Sequence, residues 1–130
     1  MFIETPKATV SKSKEETYNF LNELANFEKL MPENIDKFEV LNENRFLFAL
    51  KGMPEIVLEK KEQDPFNKLV LGAASEKLPF TLTATIAALD SEKSEVTLSF
   101  SGEFNAMMGM MVKTPITNFI NTLSKNLERL

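Results

Sequence analysis

The most constraining feature of this sequence is the regular alternation of apolar and polar side chains between Phe80 and Phe104. One set of alternate positions is apolar: Phe80, Leu82, Ala84, Ile86, Ala88, Val96, Leu98, Phe100, Gly102 and Phe104. The positions between them are mainly threonine and serine. Because successive side chains of a strand point to opposite faces of a sheet, the pattern predicts a hairpin with one buried and one solvated face. The buried face requires a second apolar layer.

A long helix at the end of the chain is predicted to supply that layer. Apolar side chains recur there with a period of about 3.6 residues, the pattern of an amphipathic helix, at Val112, Ile116, Phe119, Ile120, Leu123, Leu127 and Leu130. Thr114 and Pro115 leave two alternatives open. The helix runs unbroken from about Asn105 and is kinked by the proline, or Thr114 caps a separate helix.

The first half of the chain predicts one strand, two short helices and two hairpins. Residues 1–10 are rich in β-forming side chains, and a capping box at residues 13–16 indicates a helix start. A second short helix ends at Pro32. The apolar period then changes to two, with turns at residues 42–44 and 64–67. We expect a strand, two helices, about six more strands and the final helix, all in one domain.

Composition and charge exclude several classes of function. The chain has no cysteine and no histidine, so it lacks thiolate and imidazole metal ligands and the side chain most used as a general base near neutral pH. A net charge of −4 with scattered basic residues argues against a nucleic acid partner. Residues 1–7 contain charges where a signal peptide is apolar, and no run of about 18 apolar residues occurs. We therefore expect a cytoplasmic protein with no transmembrane segment, no metal and no cofactor, and we assign no catalytic residue.

Residues 107–111 hold four of the seven methionines and form the most unusual segment of the chain. In an unbroken helix, steps of about 100° per residue place Met108 with Val112 on the core face and Met107 and Met111 nearly opposite. Methionine is flexible and polarizable, so such a cluster either fills core space or adapts to a ligand or partner. Copper binding by thioethers is disfavoured because no histidine accompanies them. We predict that Met107, Met108 and Met111 contact a ligand, and that the segment is also a possible protein-binding surface.

The order of elements resembles the helix-grip fold of the START-like (SRPBCC-type) superfamily, which includes polyketide cyclases, birch-type pollen allergens and coenzyme Q-binding proteins. The residues that carry the resemblance are Tyr18-Asn19-Phe20-Leu21, then Phe27, Leu30, Met31 and Pro32, and the last helix through Phe119 and Leu123. The resemblance covers essentially all of residues 1–130. It implies an α+β domain in which a strongly curved antiparallel sheet of about seven strands wraps a long C-terminal helix, with two short helices after strand 1.

Such folds leave an apolar tunnel between the sheet and the last helix. Carried onto this chain, the resemblance implies a tunnel lined by Phe48, Leu58, Leu71, Leu82, Phe100, Met108, Ile116, Phe119 and Leu123. The chain departs from many relatives because it lacks tryptophan and histidine and has few polar residues on the inward strand faces. Those departures weaken the analogy with catalytic members.

Three functions remain open from the sequence. The first is non-catalytic binding of an apolar small molecule, such as a lipid, a quinone or a polyketide-like compound, in the groove between sheet and helix. The second is a protein-interaction module of the co-chaperone kind, in which side chains fill the cavity. The third is a cyclase or dehydratase, which the shortage of inward polar groups disfavours because proton transfer needs a donor within hydrogen-bond reach.

Overall fold

The computed structural model describes residues 1–75 and 79–130, which form eight strands, two α-helices and a 3-10 helix. The strands are β1 (Phe2–Glu4), β2 (Ala8–Val10), β3 (Ile35–Asn42), β4 (Arg45–Leu50), β5 (Ile56–Asp64), β6 (Lys68–Ala73), β7 (Phe80–Ala88) and β8 (Ser94–Gly102). The helices are α1 (Lys14–Asn22), the 3-10 helix (Leu24–Leu30) and α2 (Ala106–Leu127). The predicted α+β helix-grip architecture is confirmed.

All eight strands belong to one curved antiparallel sheet. Its order is β1-β8-β7-β6-β5-β4-β3, and β2 also pairs with β8. Consecutive strands from β3 to β8 are neighbours, so the sheet is a meander that ends at β3 on one side and at β1 and β2 on the other. The helices lie against its apolar side, where the core is continuous.

The described part of the chain has one strand more than the sequence predicted, because the first strand is divided. Between β1 and β2, the N–H of Thr5 donates to the carbonyl of Leu98 at 2.9 Å, and its Oγ1 accepts from the N–H of Leu98 at 3.1 Å. The threonine side chain thus takes the place of a backbone acceptor. Pro6 follows and has no N–H to donate, so regular pairing resumes only at Ala8.

Side chains determine where α1 begins and how the two short helices pack. Ser13 Oγ accepts from the N–H of Glu16 at 3.1 Å and the Glu16 carboxylate accepts from the N–H of Ser13 at 3.3 Å, which completes the predicted capping box. A buried pair of hydroxyls, Thr17 and Ser94, lies 2.8 Å apart and joins α1 to β8. The 3-10 helix buries one side chain per turn, at Leu24, Phe27 and Leu30.

Helix α2 is continuous through Pro115, so the unbroken alternative is the one observed. The side chain of Asn105 caps it by accepting from the N–H of Met108 at 2.8 Å. Its last turns bury Ile120, Leu123 and Leu127 against the sheet. Within residues 1–75 and 79–130, no helix combines the length and the hydropathy needed to cross a membrane.

The β7–β8 hairpin has the one-sided character that its alternation predicted. Cross-strand pairs on the buried face are Leu82 with Phe100, Ala84 with Leu98 and Ile86 with Val96. The opposite face carries hydroxyl pairs, namely Thr81 with Ser101, Thr83 with Ser99 and Thr85 with Thr97. The apolar face therefore looks onto the helices.

Candidate functional site

The groove between the sheet and α2 has a closed end, where α1 and the 3-10 helix meet the hairpin turns. The rings of Tyr18 and Phe66 lie edge to face with centroids 5.6 Å apart, which joins α1 to the β5–β6 turn. The Asn126 amide donates to the carbonyl of Leu30 at 2.8 Å, which joins the end of α2 to the 3-10 helix. Helix α1, the β5–β6 turn, the 3-10 helix and the end of α2 therefore close this end of the groove.

The interior at the closed end is almost completely filled. It encloses a cavity of about 10 Å³, which is room for about one water molecule. The cavity is lined by Leu21, Phe27, Leu30, Leu69, Leu71, Leu82, Ala84, Leu98, Leu123 and Leu127. Every lining side chain is apolar, so this space presents no hydrogen-bonding group to a guest.

The other end of the groove, which we call the open end, lies where β4 ends, β5 and β7 begin, β8 ends and α2 starts. Near the middle of α2, Ile116 and Phe119 pack against the core and remain partly exposed, and Val112, one turn before Ile116, is also partly exposed. Ile120 and Leu123, one turn further on, are fully buried. Packing between helix and sheet is thus incomplete at the open end.

Aromatic rings line this end. Phe48 of β4 stacks on Phe119 with centroids 5.1 Å apart and an interplanar angle of 4°. In the β7–β8 region of the sheet, the ring of Phe100 stacks on that of Phe80 with centroids 5.1 Å apart and on that of Phe104 with centroids 6.2 Å apart. Gly102 makes room for this second cluster, because a Cβ atom there would lie 2.9 Å from the Phe104 ring. Flat rings at both sides suit an apolar guest.

The methionine cluster lies outside the core at the start of α2. Met107, Met110 and Met111 are 75%, 83% and 71% exposed, and Met108 is 36% exposed. Gly109 faces inward, where the methyl group of Met1 lies 3.5 Å from the position of a Cβ atom. Met107, Met110 and Met111 therefore lie at the open end with their side chains in solvent.

Charged groups gather away from the groove, on the outer face of β4 and β5. Arg45 Nε lies 2.8 Å from the carboxylate of Glu59, which also accepts from Lys61. The hydrogen bond from Lys61, together with the charge of Arg45, holds the pKa of Glu59 below its ordinary value. Arg45 is thus part of a surface ion-pair network. In the part of the chain that the structure describes, no three acidic side chains converge as a metal site.

The structure places the predicted ligand-binding residues in three settings. Leu71, Leu82 and Leu123 line the filled cavity, and Leu58 is buried beside them in the sheet core. Phe48, Phe100, Ile116 and Phe119 surround the open end. Met107, Met108 and Met111 lie at its rim, with Met107 and Met111 pointing into solvent.

Sequence reasoning missed several residues that the structure brings to the groove. Leu21, Phe27 and Leu30 line the cavity; they carry part of the family resemblance but were not predicted to line the tunnel. Phe80 and Phe104 join Phe100 in the second aromatic cluster. The signal for both phenylalanines was present, since each stands on the inward face of the alternating hairpin pattern.

Comparisons with known proteins reveal similarity of structure. No protein-family model matches the chain, and no curated protein matches it in sequence. Norcoclaurine synthase from Thalictrum flavum, in complex with dopamine and hydroxybenzaldehyde, aligns with a TM-score of 0.78 and 10% identity over 99% of this chain and 84% of that chain. A START superfamily protein from Mycobacterium smegmatis aligns with a TM-score of 0.74 and 12% identity over 98% and 94% of the two chains. XoxI from Bacillus cereus aligns with a TM-score of 0.76 and 12% identity over 98% of this chain and 93% of that chain.

These alignments span nearly the whole chain and include the sheet, the short helices and α2. The chain has the START-like helix-grip fold that its sequence resembled. At 10 to 12% identity, the likeness concerns the fold.

Proposed function

We propose that this protein binds an apolar small molecule, such as a lipid, a quinone or a polyketide-like compound, at the open end of the groove, without changing it chemically. The observation that carries the proposal is the contrast along α2. Ile120, Leu123 and Leu127 are buried, whereas Ile116 and Phe119 pack against the core and stay partly exposed, as does Val112. An apolar stripe that faces a groove without being covered is suited to an apolar guest.

Entry of a ligand requires the amino-terminal half of α2 to move away from the sheet. A cavity of about 10 Å³ is far below the several hundred Å³ of typical ligand pockets. Two features make this half of the helix the weaker wall. Gly109 and Pro115 are poor helix formers, and Pro115 leaves the carbonyl of Met111 without its i+4 amide donor. We infer that a ligand wedges between Phe48 and Phe119 and shifts residues 106–116 outward.

One fold neighbour supports the binding of a small molecule by this fold. Norcoclaurine synthase, which has the same fold, has been solved in complex with dopamine and hydroxybenzaldehyde. That neighbour is an enzyme. We propose binding without catalysis because the side chains that line the interior cavity and the stacked rings at the open end are apolar, whereas general acid–base chemistry needs a positioned proton donor.

Native mass spectrometry of protein purified from cells tests the proposal. We expect an excess mass over the denatured chain that disappears on organic extraction, and we expect the extract to contain an apolar compound. A native mass equal to the denatured mass, together with no binding of the apolar dye anilinonaphthalene sulfonate, would contradict the proposal.

The site within the fold is tested by the double variant Met107→Gln, Met111→Gln. We expect dye binding to weaken by about tenfold, which is about 1.4 kcal/mol, because two apolar side chains at the rim become polar. The free energy of unfolding, measured in denaturant, should change by about 0.5 kcal/mol or less, since both side chains are exposed. The matched control is Leu89→Gln, an exposed apolar residue next to the β7–β8 turn at the closed end. Equal weakening in the control would place the dye elsewhere.

A second function is favoured by the filled interior. A cavity of about 10 Å³ is also what a protein-interaction module needs, because its core is complete without a guest. In that case the segment from Met107 to Met111 meets a protein partner. Protein that carries no apolar compound but is retained by a partner through this segment would establish the second function in place of the first.

A further inference from the structure

The exposed methionines of α2 have a chemistry that the binding proposal does not use. Met107 and Met111 are one helical turn apart, and Met110 stands beside Met111, so the three thioethers share one solvent-facing region. Their exposures of 75%, 83% and 71% contrast with 7% for Met31 in the core. Small solutes in water therefore reach these three sulfur atoms freely.

The rest of the composition leaves these thioethers as the main targets of a mild oxidant. The chain contains no cysteine, no tryptophan and no histidine, and its single tyrosine, Tyr18, is buried. Thioethers react with peroxides to give sulfoxides, and the reaction can be reversed by reductases. Accessible methionine is thus the residue type of this chain that reacts first with a peroxide.

We propose that Met107, Met110 and Met111 form a methionine-oxidation site, through which peroxide weakens the binding of apolar molecules at the open end. In each step a lone pair of the thioether sulfur attacks one oxygen of hydrogen peroxide. A sulfur–oxygen bond forms, the oxygen–oxygen bond breaks, and the departing hydroxide takes up the proton of the transferred hydroxyl group to leave as water. Sulfur loses two electrons, and the peroxide gains them.

The three side chains lie on the solvent side of α2 at the open end, so an effect on the groove passes through the helix segment that the proposed function makes the movable wall. A sulfoxide is polar and accepts hydrogen bonds, so a guest that has shifted this segment outward meets polar side chains where the apolar thioethers were. Because the thioethers are exposed, their oxidation removes little packing and leaves the fold stable. This second half of the inference rests on the proposed function; the order of oxidation does not.

Peptide mapping by mass spectrometry during titration with hydrogen peroxide tests the site itself. We expect Met107, Met110 and Met111 to be oxidised first in the folded protein, and Met31 at least about tenfold more slowly because the core excludes the oxidant. In denaturant all methionines should react at similar rates. Oxidation of Met31 in the folded protein as fast as the three α2 residues would overturn the proposal.

Dye binding after partial oxidation tests the effect on the groove. We expect oxidised wild-type protein to bind anilinonaphthalene sulfonate about tenfold more weakly, or worse, with an unchanged midpoint of unfolding. The triple variant Met107→Leu, Met110→Leu, Met111→Leu keeps apolar side chains that cannot be oxidised. Its dye binding should remain at its own untreated level after the same exposure.

The outcomes separate the two proposals. If wild-type protein binds no dye and carries no apolar compound, the proposed function fails, while the order of oxidation still confirms or overturns the modification site. If wild-type protein binds dye and oxidation of the three residues leaves that binding unchanged, the proposed effect of oxidation on binding is wrong. An equal loss of binding in the triple variant would also overturn it, because the effect would then arise at another methionine.

Discussion

Tyr18 shows how one residue can be well packed and still carry an unmet polar group. Its side chain is 2% exposed, and within the described residues its hydroxyl has no hydrogen-bond partner. Burial raises the pKa of the Tyr18 phenol above its ordinary value of 10.0, and the charge of Asp64 adds to the effect. The ring therefore contributes by packing on Phe66, while its hydroxyl is a small liability.

Titration of Tyr18 makes this measurable, because it is the only tyrosine and there is no tryptophan. We expect the phenolate absorbance of the folded protein to appear above pH 10 and, after unfolding, at the ordinary value of about 10. The native pKa is the higher one, so the contribution to stability is complete below pH 10 and is lost as pH rises through the native pKa. Tyr18→Phe should abolish this part of the alkaline loss and be neutral or slightly stabilising at pH 7. A loss of more than about 1 kcal/mol at pH 7 would show that the hydroxyl has a partner.

The β7–β8 hairpin gives a clear test at the scale of one element. Leu98 is buried opposite Ala84 of β7 and lines the interior cavity, so Leu98→Asp combines the loss of a core side chain, about 2 to 5 kcal/mol, with the burial of an unpaired charge. Thr83 lies on the outer face opposite Ser99, where Thr83→Asp changes mainly strand propensity, by about 1 kcal/mol. We expect the first variant to fail to fold and the second to unfold cooperatively in denaturant. Failure of both variants to fold would mean that the sheet is buried on both faces, and cooperative folding of both would mean that Leu98 does not face the core.

Sequence reasoning was most successful for elements whose pattern is long. The alternation of β7 and β8 and the helical period of α2 fixed which faces turn inward, because each pattern repeats over many residues. The division of the first strand was missed, since it depends on Thr5 reaching Leu98, a contact with a distant residue. The roles of Leu21 and Phe27 were missed for the same reason. In a short helix the apolar pattern has too few repeats to indicate which face packs inward.

At the scale of the whole molecule, one end of the groove is packed and the other is not. This difference was beyond the sequence, because a periodic pattern indicates which side chains face the core and says nothing about the volume left between them. The predicted lining of Leu71, Leu82 and Leu123 belongs to the filled end. The predicted Phe48 and Phe119 belong to the open end, where they touch each other.

Hydrogen exchange should reveal this asymmetry in solution. We expect the amides of residues 110–114, 116 and 117 to exchange at least about tenfold faster than those of residues 121–127, because local opening at the open end breaks few buried contacts. An apolar ligand should slow exchange in the first range and leave the second unchanged. Uniform protection along α2 would contradict the idea that its amino-terminal half is the movable wall.

The outer edge of β3 bears on how molecules of this protein behave when crowded together. β3 ends the sheet, and its register with β4 shifts at both ends, between Ile35 and Lys37 and between Val40 and Asn42. Such irregularities, with charged side chains between them, deny an incoming strand the flat, continuous edge that fibril growth requires. The chain can thus leave Val40 and Leu41 exposed without turning this edge into a seed for aggregates.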